Sequence, residues 1–157
     1  MKRRQRVPRQ WLVADARLGD ALWKAIARLP RGSGVLLLYR ELPRRERARL
    51  VARLRRVARR QALVIADELA SEAGRIHNLR ELRRSAGVPL LFVSPLFPTR
   101  SHPDWAPLPR MRAAALARLA KVQVIALGGM DEPRFERIRR LGFKGWAGID
   151  AWTGGRN

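Results

Sequence analysis

Short runs of residues that are apolar at nearly every position recur along the chain. They cover residues 11–14, 35–39, 62–66, 90–93, 122–127 and 146–149. A strand with one exposed face alternates apolar and polar residues, whereas a strand covered on both faces does not. These runs therefore predict strands buried on both faces, as in a parallel sheet.

The segments between these runs carry apolar residues at helical spacing, and their ends have helix-terminating residues. Asn78 with Glu81 resembles a capping box, Asp131 and Pro133 suit a helix start, and Gly87 and Gly142 suit helix ends. The apolar faces are Leu18, Leu22, Ala25, Ile26 and Leu29; Leu50, Val51, Leu54, Val57 and Ala58; and Phe135, Ile138 and Leu141. Alternating strands and helices predict an α/β fold with right-handed crossovers.

We expect one domain over residues 9–152, between a basic tail at 1–8 and a tail at 153–157. The alternation alone does not separate a TIM-type β/α barrel from an open doubly wound sheet. No GxGxxG follows the first strand, which argues against a doubly wound sheet that binds a dinucleotide. Residues 94–109 form a proline-rich loop of the length that often carries function. Residues 67–78 are too short for another full helix and strand.

The formal net charge of +21 is the strongest signal in the composition. Such a field attracts phosphates, nucleic acids or anionic surfaces. Nearly all of it is arginine placed between apolar positions of predicted helices, which favours solvated outer helix faces over a nucleic-acid surface. The lysines are Lys2, Lys24, Lys121 and Lys144.

Cysteine is absent, so disulfides, thiolate metal sites and thiol catalysis are excluded. No run of about 18 apolar residues predicts a membrane span. We expect a cytoplasmic protein without a membrane partner, and a homo-oligomer is left open.

Two segments carry residues suited to an anionic ligand. Gly128 and Gly129 follow a strand and precede a helix, so their amides are candidate phosphate donors, although a tight turn also needs glycine. The long loop offers Thr99, Arg100, Ser101 and His102 as a clamp over an anion. These groups predict a phosphate site at the carboxyl ends of the strands.

Arg40 and Asp67 end two predicted strands, at the edge where barrel active sites gather. Arg40 is a candidate partner of a diphosphate. Asp67 is a candidate Mg²⁺ ligand, or else the cap of the segment that follows it. Asp150 ends the last strand, and His77 is either a site residue or a structural one.

Residues 92–152 resemble the carboxyl half of the thiamine phosphate synthase and TenI family. The family's GP-x-F-x-T-x-T-K loop, A-I-G-G-I strand end and G-x-A-x-x-S final strand have counterparts in SPLFPTRSH, VIALGG and GWAGID. Upstream, WLVADARLGDALW, LLLYRE and ALVIAD are similar to the first strand and helix, the Q-x-R-x-K strand and the I-N-D strand. The resemblance implies a TIM-type barrel.

The resemblance also implies roles for individual residues. Arg40 takes the diphosphate-binding position and Asp67 the magnesium position. Thr99, Gly128 and Gly129 take places in a thiazole phosphate pocket. Ser101 and His102 match a threonine and a lysine of the loop, and we count both, with Arg40, as candidate catalytic residues. Asp150 stands in place of the last strand's phosphate-binding serine.

Other positions depart from the family pattern. Leu38 and Leu42 replace the glutamine and lysine of Q-x-R-x-K, Ala66 replaces an asparagine and Ser94 a glycine. The family's H-L-G-Q-x-D strand, which bears a second magnesium carboxylate, has no clear counterpart. We expect the strand near residues 74–77 to be short or missing. Either the barrel lacks one central β-α unit, or a segment near residue 78 is omitted.

The family function is the joining of hydroxymethylpyrimidine diphosphate to thiazole phosphate, which gives thiamine phosphate and pyrophosphate. A transferase of this kind, with Mg²⁺ and small phosphorylated substrates, is the leading expectation. A TenI-like thiazole tautomerase or a non-catalytic thiazole phosphate binder needs only the carboxyl-terminal pocket. A basic nucleic-acid-binding protein is a third alternative.

Overall fold

The structure is a computed structural model that describes residues 6–154 of the 157-residue chain. Residues 1–5 and 155–157 of the predicted tails lie outside the described residues. Within the described range there are seven strands: β1 Gln10–Ala14, β2 Gly34–Leu37, β3 Val64–Asp67, β4 Gly74–Ile76, β5 Leu90–Val93, β6 Gln123–Leu127 and β7 Gly145–Gly148. The six predicted apolar runs are confirmed as strands, with ends that differ by at most two residues.

An α-helix follows each described strand except β3. These helices are α1 Ala21–Arg28, α2 Arg44–Gln61, α3 Leu79–Arg84, α4 Arg110–Leu119, α5 Glu132–Ile138 and the single turn α6 Asp150–Thr153. The Asn78 side chain accepts a hydrogen bond from the Glu81 amide at 2.9 Å, and Asp131 accepts one from the Arg134 amide at 2.8 Å. Both residues therefore cap the helices that the sequence predicts.

All strand pairs are parallel, and the sheet runs in the order β3-β2-β1-β7-β6-β5-β4. The first and last strands of the chain are thus neighbours, as in a barrel. The Trp11 and Phe92 rings meet edge to face at 5.3 Å. They come from β1 and β5, which would lie about 14 Å apart in a flat sheet. The sheet is therefore curled, and the predicted barrel is confirmed over the open sheet.

The barrel has an open seam, because β3 and β4 are edge strands that do not pair with each other. Only residues 68–73 separate them, and this connection is too short for the helix and strand of a full unit. A complete barrel of this type has eight strands. The described residues thus hold seven strands, with the gap between β3 and β4, and β4 is the short strand expected near 74–77.

Apolar side chains fill two layers. One layer lies between the outer sheet face and the helices, and the other fills the barrel interior. Gly34 makes room for the interior Trp11, since a Cβ at residue 34 would lie 2.2 Å from the indole. The interior residues are Trp11, Val13, Leu36, Ala66, Ala73, Leu90, Phe92, Ile125 and Ala147. This packing closes the bottom of the barrel and leaves the carboxyl ends of the strands accessible. Among the described residues, no helix has the length and apolar character to cross a membrane.

Candidate active site at the carboxyl ends of the strands

A cavity of about 360 Å³ opens at the carboxyl ends of the strands. Apolar side chains that line it are Val13 of β1, Leu38 just after β2, Leu127 of β6 and Ile149 just after β7. The predicted residues Thr99, Ser101, His102, Gly128, Gly129 and Asp150 all line it. The structure thus brings most of the predicted site together in one cavity.

The two glycines pack directly against the long loop of residues 94–109. Gly128 and Gly129 have φ values of +95° and +59°, in the region that favours glycine. A Cβ at Gly129 would lie 2.3 Å from the Pro98 carbonyl oxygen. The Leu96 and Phe97 amides donate to the Leu127 and Gly128 carbonyls at 3.0 and 3.1 Å. Glycine here therefore serves both the turn and the close approach of the loop.

The outer part of this loop forms one wall of the cavity. The Ser101 amide donates to the Thr99 hydroxyl at 3.3 Å, which holds both hydroxyl side chains in one turn. The His102 ring stacks on Trp105, with centroids 4.4 Å apart and planes at 17°. His77 meets the other side of this group edge-on, 5.5 Å from Trp105. Trp105 is 48% exposed, so an aromatic surface faces the mouth of the cavity.

His77 is held from behind by Glu81. The Glu81 carboxylate accepts from the His77 amide at 2.6 Å and contacts the His77 Nδ1 at 2.9 Å. Burial raises the pKa of Glu81, but the hydrogen bonds from His77 outweigh this effect and leave the pKa below its ordinary value. Glu81 therefore fixes the orientation of His77, which lines the cavity.

Four arginines line the cavity, and of these only Arg100 was singled out from the sequence: Arg17, Arg75, Arg100 and Arg134. The Arg134 guanidinium donates to the Gly129 carbonyl at 2.5 Å and lies over the Phe97 ring. Arg134 lies in the first turn of α5, three residues after the cap Asp131, so the predicted helix start already placed it near the Gly128–Gly129 turn. Arg75 lies on β4, a strand of three residues that is too short to show a periodic pattern in the sequence.

Arg40 does not line this cavity. It follows β2, is exposed, and donates from Nε and Nη2 to Glu68 Oε2 at 3.1 and 2.7 Å. The predicted diphosphate partner is thus engaged by a carboxylate at the seam.

Asp67 lies at the end of β3, but its carboxylate points away from the barrel interior. The side chain is buried, forms an ion pair with Arg47 of α2, and accepts the Leu69 amide at 3.0 Å. Mg²⁺ binds carboxylates that are free to face it with water and phosphate oxygens. A metal at Asp67 would have to displace Arg47, so this arrangement does not fit the predicted ion. No step is therefore assigned to a metal at this position.

Asp150 begins α6, is exposed, and lines the cavity opposite the loop. A carboxylate repels a phosphate unless a cation lies between them or the carboxylate is protonated or turned away. The arginines of the cavity supply that compensating charge, and they outnumber its two aspartates, Asp131 and Asp150. The cavity as a whole is suited to an anion.

Comparison with known proteins gives a family and a fold. A family model described as thiamine monophosphate synthase matches residues 74–152, half of the chain. The chain is similar in structure to a thiamine phosphate pyrophosphorylase from Pyrococcus furiosus, with a TM-score of 0.76 at 17% identity. That similarity covers 97% of this chain and 90% of the other, and at this identity it shows the fold. No curated protein is matched.

The family match begins at β4 and ends in α6, so it contains the long loop, both glycines and Asp150. The fold match extends over the amino-terminal strands as well. The resemblance expected from the sequence is confirmed, and the chain belongs to the thiamine monophosphate synthase family.

Proposed function

We propose that the cavity binds the phosphorylated thiazole substrate and that the chain joins it to hydroxymethylpyrimidine diphosphate. The observation that carries this proposal is the meeting of Thr99, Ser101, Gly128 and Gly129 with four arginines in one cavity. Hydroxyls, amides and guanidinium groups are the donors that recognise phosphate.

In the proposed reaction, the thiazole nitrogen forms a bond to the pyrimidine methylene carbon as the carbon–oxygen bond to the diphosphate breaks. Pyrophosphate leaves with the electron pair of that bond. Such a site acts mainly by positioning the reactants and by neutralising charge. Ser101 and His102 lie on the loop that borders the reactants, so they are the proposed catalytic residues of the cavity. Arg40 remains a proposed diphosphate partner that must release Glu68.

A second candidate is a TenI-like thiazole tautomerase or a non-catalytic thiazole phosphate binder. The specific observation in its favour is that Arg40 and Asp67, which only the synthase needs, are ion-paired to Glu68 and Arg47. Both functions use the phosphate donors of the cavity. They differ in whether thiamine phosphate is formed.

The test combines hydroxymethylpyrimidine diphosphate, thiazole phosphate and Mg²⁺ and measures thiamine phosphate, while calorimetry measures thiazole phosphate binding. We expect product from the native chain and at least a 10-fold lower rate from Arg40→Ala. Thr99→Val should weaken thiazole phosphate binding about 10-fold, since it removes a hydrogen bond to a charged group. The control, Arg56→Gln on the outer face of α2, should change neither.

The outcomes separate the candidates. Binding without product above the Arg40→Ala rate rejects the synthase and leaves the second candidate. Absence of thiazole phosphate binding, with tight and salt-dependent binding of a random DNA duplex, rejects both in favour of a nucleic-acid role.

A further inference from the structure

Arg75 is a charged residue in the middle of a strand that borders the barrel interior. It lies in β4 opposite Phe92 of β5, and Phe92 belongs to the interior core. Its side chain is 31% exposed and lines the cavity. The guanidinium therefore borders the ligand space from β4, three strands away from β7, which contributes Gly148.

Glu68 holds this guanidinium in place. Its Oε1 accepts from Arg75 Nε at 2.9 Å, and its Oε2 accepts from Arg75 Nη2 at 3.2 Å. The Glu68 side chain is only 8% exposed. This bidentate pair joins the residue after β3 to the middle of β4, and these two strands make no strand pairing with each other. Arg75 is thus fixed in orientation before any ligand enters.

The ion pair between Glu68 and Arg75 leaves some N–H donors of Arg75 unused by Glu68 and does not cancel the positive charge of the cluster. An arginine has five N–H groups, and Glu68 takes two of those on Arg75. Glu68 also accepts from Arg40, so one carboxylate faces two guanidinium groups and the cluster keeps a net positive charge. Burial raises the pKa of Glu68, but hydrogen bonds from Arg75 and Arg40 outweigh it and keep the carboxyl ionised. The remaining N–H groups of Arg75 are suited to phosphate oxygens.

We propose that Arg75, positioned by Glu68, binds a second anionic group in the cavity, apart from the phosphate bound at Gly128 and Gly129. β4 and β6 are two strands apart, so their backbones lie about 10 Å from each other, and the Arg75 guanidinium and the Gly128–Gly129 turn approach the cavity from different strands. The group of this second position is a diphosphate. The proposal rests on the proposed function, and it adds Arg75 to Arg40 as a partner of the diphosphate end of the substrate pair.

A crossed titration tests this assignment, with inorganic pyrophosphate and inorganic phosphate as the probes. Calorimetry on Arg75→Gln should show pyrophosphate binding weakened at least 10-fold and phosphate binding changed less than threefold. Thr99→Val should give the opposite pattern. Arg75→Lys should restore only part of the affinity, because lysine lacks the planar fork. The control is Arg55→Gln on α2, which removes an exposed ion pair with Glu72 of the β3–β4 connection. It should leave the affinities for both probes unchanged.

Loss of folding is a separate outcome, since Arg75→Gln leaves Glu68 with one partner. The double variant Glu68→Gln/Arg75→Gln removes both charges of the pair, and near-UV circular dichroism checks its packing. A folded double variant that still binds pyrophosphate like the native chain overturns the proposal. So does a native chain that binds no pyrophosphate.

The inference and the proposed function fail in different ways. If Thr99→Val weakens phosphate binding while Arg75→Gln leaves pyrophosphate binding intact, Arg75 has no binding role and the phosphate pocket stands. If pyrophosphate binding depends on Arg75 but thiazole phosphate does not bind, the anion position stands and the thiamine reaction is rejected.

Discussion

Gly129 combines a left-handed backbone with a close contact to the loop. Its φ of +59° strains any other residue, and a Cβ would press on the Pro98 carbonyl at 2.3 Å. We expect Gly129→Ala to lower the free energy of unfolding by about 2–4 kcal/mol, because strain and steric clash add. It should also weaken phosphate binding, since the loop must move away. Urea denaturation and calorimetry measure the two effects.

Gly87 provides the matched control for that substitution. Its φ of +88° is equally left-handed, but nothing lies within 4 Å of a Cβ there. Gly87→Ala should therefore cost only the backbone strain, about 1 kcal/mol, and leave phosphate binding unchanged. Equal losses in the two variants would mean that the contact with Pro98 contributes nothing.

The predicted residues that line the cavity and those that do not differ in a physical way. Gly128 and Gly129 follow β6 directly, and local chain direction carries them into the cavity, whereas Thr99 reaches it on the loop that packs against these glycines. Asp67 also ends a strand, but alternation of side chains turns it outward to Arg47. Only the register of β3 against β2 decides between the two faces. Arg75 gave no sequence signal, because only the pairing of β4 with β5 shows that its side chain lies on the interior face of the sheet, beside Phe92.

The seam between β3 and β4 depends on Glu68. The pKa of Glu68 lies below its ordinary value in the folded chain, so its ion pairs contribute stability above about pH 4.5 and lose it as the pH falls further. We expect the free energy of unfolding to fall on acidification in this range, and Glu68→Gln to reduce that fall while costing about 1–3 kcal/mol near neutral pH.

Chemical denaturation from pH 3 to pH 7 measures this dependence. Asp20→Asn is the control, because Asp20 is exposed and makes no capping hydrogen bond. If Glu68→Gln and the native chain lose stability in parallel on acidification, the seam does not depend on an ionised Glu68.

The elements themselves were largely predictable, because burial on both faces leaves strands without polar positions. The closing of the sheet was not a local property. It depends on β1 pairing with β7, and on Trp11 meeting Phe92 across the interior. The family resemblance predicted the closed arrangement of the sheet. The shortness of residues 67–78 indicated that a helix and a strand are absent there.

For the whole molecule, the distribution of charge matters more than its sum. The net charge is +21, yet several arginines of α2 are engaged in the fold: Arg47 with Asp67, Arg53 over the Trp23 ring and Arg55 with Glu72. Exposed arginines on outer helix faces are hydrated and screened beyond about 8–10 Å at ordinary salt. We therefore expect the cavity, with its amides, hydroxyls and oriented guanidinium groups, to bind anions more strongly than these helix faces.

A crystal soaked in inorganic phosphate tests this claim most directly. We predict a phosphate within hydrogen-bond distance of the Gly128 and Gly129 amides and the Thr99 hydroxyl. The Asp150 carboxylate should be turned away from it or bridged to it by an arginine. An Asp150 carboxylate filling that space, with phosphate found only on the outer helix faces, would show that the cavity is not the anion site.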